Sequence, residues 1–110
     1  MRDESFLDCC ANPRLQLVKT IYESSHDDES LHQCQNCGGY WFYRFSEYLS
    51  FNNGGDDITV WYSPITTDEA QVIIESESRP DLSFLRNRPG FMKDDQGVHR
   101  TGGQPDRPRY

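Results

Sequence analysis

Tyr40-Trp41-Phe42-Tyr43-Arg44-Phe45-Ser46-Glu47-Tyr48-Leu49-Ser50-Phe51, followed by Asn52-Asn53-Gly54-Gly55-Asp56-Asp57 and then Ile58-Thr59-Val60-Trp61-Tyr62, decides the fold. Trp41, Tyr43, Phe45, Leu49 and Phe51 occupy alternate positions, with Glu47 the one polar intruder. A period of two places such residues on one face of a strand, so the odd set is expected to meet a core. Asn, Gly and Asp tolerate positive φ, and six of them in a row make a strong turn. Ile58 to Tyr62 reads as the returning strand, closed by Pro64. Residues 40–62 are therefore predicted to be a long β-hairpin.

Downstream, Thr66-Thr67-Asp68-Glu69 opens a helix. Thr66 can cap it, and Glu69 three residues later can reach back in a capping box. Asp68 and Glu69 also favour the positive end of the helix dipole. Ala70, Ile73 and Ile74 share a stripe by their spacing. The helix is expected over about 67–77, with Leu82, Phe84 and Leu85 as a docking segment. From Lys93 onward Gly, Pro, Asp, Gln and Arg dominate, and residues 93–110 read as a disordered tail. Upstream, Leu15 to Tyr22 alternates and contains β-branched Val18, Thr20 and Ile21, a strand signal. Ser24 to Ser30, with His26-Asp27-Asp28-Glu29 inside it, reads as a polar loop. Leu31-His32-Gln33 is a short extended approach to Cys34. The predicted fold class is α+β: a small antiparallel sheet of three to four strands, one helix and a zinc knuckle. Residues 1–92 are expected to form a single zinc-stabilised domain.

Size makes the knuckle an energetic need. Of 110 residues 35% are apolar, and mean hydropathy is −0.85. Domains this small and polar are marginal on burial alone and commonly use a metal or disulfides as a staple. The chain holds four cysteines, Cys9, Cys10, Cys34 and Cys37, the number a closed tetrahedral zinc site takes. Met1-Arg2-Asp3-Glu4-Ser5 lacks the apolar run of a secretory signal, and no stretch approaches the ~20 apolar residues of a membrane helix. A cytoplasmic setting is thus expected, where cysteine pairs serve metals more often than disulfides. Bridges Cys9–Cys34 or Cys10–Cys37 are the alternative in an oxidising compartment.

Cys34-Gln35-Asn36-Cys37-Gly38-Gly39 is the strongest motif. Two thiols three positions apart grip a metal from two sides, and the glycine adopts backbone conformations barred to other residues. A thioredoxin-type redox pair would place the first cysteine at a helix N-terminus, whereas a strand follows here. Cys9-Cys10 is a compressed second half. Neighbouring side chains of an extended chain point apart, so both can ligate one ion only if the backbone turns, for which Asn12-Pro13 is placed. If only one of them binds, His32 is the preferred fourth ligand and His26 the weaker one.

The C-x-x-C-G run at residues 34–38, flowing into an aromatic strand and hairpin, resembles the zinc-ribbon or rubredoxin-type knuckle. That resemblance implies a structural metal and a role in binding macromolecules, often nucleic acid or polymerase assemblies.

Charge argues on the partner. Net charge is −7 and pI is near 4.8. Such a surface repels phosphate, which disfavours nucleic acid, and attracts a basic protein. The rings of residues 40–62 are therefore core before they are a stacking platform, although Tyr40, Phe42, Tyr48 and Trp61 could anchor a protein partner. Asp27-Asp28-Glu29 and Asp56-Asp57 could meet a hard cation or a basic partner, and solvated loops are the default for both. His26, His32 and His99 form no acid–base constellation with a nucleophile, so no enzyme is expected. The expected function is a small acidic zinc-binding protein acting as a protein-interaction or regulatory module, an immunity or antitoxin-like protein being its specific version. The alternative is a transcription-associated zinc ribbon contacting nucleic acid, and a metal-dependent or redox enzyme comes third.

Overall fold

The computed structural model describes residues 7–25, 27–50, 55–77, 80–94 and 97–103. Six strands follow in order: β1 (Leu15–Glu23), β2 (Asp27–Cys34), β3 (Tyr40–Ser50), β4 (Gly55–Ile65), β5 (Gly90–Asp94) and β6 (Gly97–Thr101). Each pairs antiparallel with the next, so the sheet is a meander in sequence order. Between β4 and β5 lie one α-helix, α1 (Thr67–Glu75), and a 3-10 helix (Ser83–Asn87). The class remains α+β, but the expected three to four strands are corrected to six.

Two segments account for the difference. The stretch from Ser24, read as a polar loop, turns within a few residues: Ser24 N donates to Asp27 O at 3.0 Å, and Asp27 N donates to Ser24 Oγ at 3.0 Å. β2 then begins at Asp27, whose carboxylate is buried and accepts from Arg44 Nε at 3.3 Å. Acidic residues enter a strand here because a cation on the neighbouring strand meets them, which local sequence does not display. The second segment is the expected tail. Lys93 and Asp94 end β5, and residues 97–101 form β6, folded back so that Arg100 lies over the Phe91 ring at 4.8 Å. Residues 104–110 lie outside those described, as do His26, Phe51 and residues 52–54 of the expected turn; the side chains of Tyr48, Leu49, Asp56 and Asp57 are outside as well.

The long hairpin forms, with Tyr43 opposite Tyr62 and Ser50 opposite Gly55. β4 runs through Pro64 to Ile65. Its central strands are covered on both faces. On the even face Leu31, Phe42 and Ile65 pack against Ala70 and Ile73 of α1 and against Leu82 and Leu85. On the odd face Trp41, Tyr62 and Phe91 pack against Leu7 of the N-terminal segment. The helix thus lies on the face opposite the one that alternation assigns to the core, and Phe42, expected in an exposed patch, is 1% exposed.

α1 starts as its sequence dictates. Glu69 N donates to Thr66 Oγ1 at 3.1 Å, and Thr66 N donates to Glu69 Oε1 at 3.0 Å, a complete capping box. Ala70 and Ile73 are buried, whereas Ile74 is exposed and drops out of the stripe. At the other end Lys19 of β1 donates to Ile73 O at 2.8 Å and Ile74 O at 3.2 Å, supplying the cation that the helix's last turn lacks.

Candidate metal centre

The N-terminal segment that covers the odd face of the sheet carries Cys9 and Cys10, and the turn between β2 and β3 carries Cys34 and Cys37. The turn is built by backbone bonds: Cys34 N donates to Gly39 O at 2.8 Å and Gly38 N to Cys34 O at 2.9 Å. Gly38 has φ +80°, the left-handed conformation that a Cβ disfavours. No helix begins at Cys34; after the turn, β3 starts at Tyr40. The N-terminal segment docks on this turn through Gln35 N, which donates to Arg14 O at 2.7 Å, and through Asn36 Nδ2, which donates to Asn12 O. Pro13 is buried beside it, at the bend the sequence suggested.

These contacts bring all four sulfurs within 4.8 Å of one another. Cys9 and Cys10 Sγ are 4.0 Å apart, and Cys10 and Cys34 Sγ are 3.8 Å apart. A disulfide needs about 2.0 Å. A tetrahedral ion with bonds of about 2.3 Å holds its sulfurs about 3.8 Å from each other. Four sulfurs this close together could hold one metal ion, and the four cysteines are free thiols rather than bridged.

Burial is graded across the cluster: Cys34 is buried, Cys9 and Cys10 are half-buried and Cys37 is exposed. Burial works against a thiolate at Cys34, but N–H groups of Arg14, Cys37 and Asn36 outweigh it and hold the thiol down to about 6. Arg14 N lies 3.4 Å from Cys34 Sγ, and Gly39 N lies 3.4 Å from Cys37 Sγ. Burial pushes the Cys9 thiol up to about 12, against the Trp41 indole, which favours its thiolate. The Cys10 thiol is also raised, by desolvation first. Backbone donors aimed at sulfur are the usual partners of a metal-bound thiolate, so the residues present fit a metal.

His32 stands apart from this cluster. Its ring is buried, Nε2 lies 2.9 Å from Ser30 Oγ, and the ring centroid is 5.0 Å from that of Tyr43. The four-cysteine grouping, not a Cys3His set, is what the fold assembles. His26 is outside the described residues. Asp27 and Glu29 are buried within the sheet, so neither belongs to a solvated loop. His99 Nε2 pairs with Asp94 Oδ1 at 3.2 Å on the β5–β6 hairpin. Among the described residues no helix is long and apolar enough to cross a membrane.

Sequence reasoning did not anticipate Trp41 beside Cys9. The sequence carries only part of the signal: Trp41 lies four residues after Cys37, and the face that the N-terminal segment covers is set by the fold. No family model, curated protein or solved structure matches this chain.

Proposed function

We propose that Cys9, Cys10, Cys34 and Cys37 bind one zinc ion as a structural clasp, and that the protein so stabilised is an acidic protein-binding module. The observation that carries the reading is the gathering of four sulfurs, from two chain segments far apart in sequence, within 4.8 Å of one another. Four protein ligands leave no position open for a substrate or an activated water, which argues for structure over catalysis. Thiolates favour zinc among the abundant divalent ions, and zinc imposes no geometry that conflicts with a tetrahedron. When bound, the ion would supply cross-linking: it would hold the segment bearing Leu7 onto Trp41, Tyr62 and Phe91.

The partner reading rests on charge. A net charge of −7 favours encounter with a basic protein surface and opposes nucleic acid. Masking of a cationic partner, as an immunity or antitoxin-like protein does, is the specific form of this proposal. Metal analysis of protein purified under reducing conditions tests the clasp. One zinc per chain, with all four thiols protected from alkylation until a chelator is added, is expected. Two thiols that alkylate readily in metal-loaded protein would overturn the four-cysteine set. Titration with a labelled oligonucleotide at low salt tests the partner class, and tight, salt-sensitive binding there would overturn it.

A further inference from the structure

Two of the four sulfurs, one on each side of the turn, receive a backbone N–H. Cys34 takes Arg14 N at 3.4 Å, and Cys37 takes Gly39 N at 3.4 Å. No backbone N–H among the described residues reaches Cys9 Sγ. On the adjoining strand, Trp41 is 2% exposed and its indole Nε1–H has no partner at ordinary hydrogen-bond geometry. A buried N–H left without an acceptor is rare in folded proteins and calls for a physical reason. Packing supplies part of one, because the ring lies 6.3 Å from Phe91 and covers Leu7. A phenylalanine would satisfy that packing without burying a donor, so packing does not account for the nitrogen. The polar group that the indole meets is the Cys9 thiol, which packs against the same cluster.

We infer that Trp41 donates its indole N–H to the Cys9 thiolate of the metal-loaded centre, extending with a side chain the shell of N–H groups that the backbone provides to Cys34 and Cys37. This rests on the metal reading above and goes beyond it by assigning a positioning residue. A tetrathiolate zinc site carries a net charge of −2, and each N–H aimed at sulfur offsets part of it in a poorly solvated setting. At Cys9 the charge then lies against a buried ring, while Cys37 stays open to water, and the indole fixes the Cys9 side chain for the ion. A thiol is a weak acceptor and a thiolate a strong one, so the contact strengthens as the proton leaves and the metal binds.

The test uses the whole chain, labelled with 15N and loaded with 113Cd2+ in place of zinc. A scalar coupling between the cadmium and the Trp41 indole hydrogen is expected, alongside couplings to Arg14 and Gly39 N–H. The indole signal is assigned by its loss in Trp41→Phe, and Trp61 serves as the indole that should show no coupling. Cadmium bound by four thiolates and coupled to the backbone donors but not to the Trp41 indole would overturn this inference while leaving the metal site standing. Failure to bind cadmium or zinc at all would overturn both. Competition with a chromophoric chelator adds a second reading: Trp41→Phe should weaken metal binding by about ten-fold. Unchanged affinity in a folded Trp41→Phe protein would also overturn the assignment.

Discussion

Asp27 and Arg44 are side chains whose surroundings reverse their ordinary preference for water. Both are almost wholly buried, joined at 3.3 Å from Nε to Oδ1 and at 3.5 Å from Nη2 to Oδ2, with the guanidinium 5.2 Å above the Trp61 ring. Glu29, also buried, is registered directly opposite Arg44 across the β2–β3 ladder. A buried pair contributes little net stability relative to apolar side chains, yet loss of one partner strands a charge at about 3–5 kcal/mol. Asp27→Asn should lower the unfolding free energy by that order in urea titration. Arg44→Met should cost more, because it removes the cation facing two carboxylates. Gly38 makes a smaller, purely conformational prediction. Its φ is +80° and nothing lies within 4 Å of the place a Cβ would take, so Gly38→Ala meets strain but no clash. The expected cost is about 1–2 kcal/mol, read as a lower unfolding midpoint of the metal-loaded protein.

At the level of elements, the ends of α1 show how much is local and how much is not. The capping box was legible because its two residues are three apart in sequence and both polar groups lie in one turn. Arg88 was not legible as the partner of Glu69. It arrives from beyond the 3-10 helix, sets Nη2 2.8 Å from Glu69 Oε2, and lies 4.9 Å over Phe84. The hydrogen bond from Arg88 holds the Glu69 carboxyl below the usual carboxylate range, with the Thr66 backbone adding to it. A lowered folded-state pKa gives stability that is complete above the unfolded glutamate value and is lost as pH falls through the folded one. Replacement by Arg88→Met should therefore destabilise near neutral pH, and the gap from wild type should close as the solution is acidified below the glutamate range. A gap that persists unchanged at acid pH would assign the effect to packing on Phe84. β5 carries a steric prediction. A Cβ on Gly90 would sit 2.2 Å from Tyr62 O, a backbone atom, so Gly90→Ala must push β5 from β4. A loss of about 1–3 kcal/mol is expected in urea unfolding.

For the whole molecule the question is what holds a 110-residue chain of low hydropathy together. Its core is divided between two faces of one sheet, and only the even face has a helix to cover it. The odd face depends on the segment around Leu7, which reaches the sheet beside the four sulfurs. If those sulfurs hold zinc, chelation under reducing conditions should lower the melting temperature by about 10 °C or more, since each kcal/mol is worth roughly 4–8 °C at this size. Fluorescence of the two tryptophans should shift in the same experiment, from Trp41 rather than Trp61, as a Trp61→Phe background would show. A melting temperature unmoved by chelator would remove the metal from any part in stability.

What the sequence determined by itself was whatever depends on neighbours in the chain. The Tyr40–Ser50 and Gly55–Ile65 hairpin follows from alternation and a turn, α1 from its cap, and the cysteine pairing from the count of thiols and the bend at Asn12-Pro13. Tertiary structure alone decided the rest. It made Asp27 and Glu29 strand residues by meeting them with Arg44, and it turned residues 97–101 from expected tail into a paired edge by giving Phe91 and Met92 a long strand to lie along. It also chose which face of β3 receives the helix, because both faces are aromatic and alternation cannot rank them. The physical reason is common to all three: charge neutralisation, ladder pairing and face selection depend on groups distant in sequence, and only the closed fold brings these together.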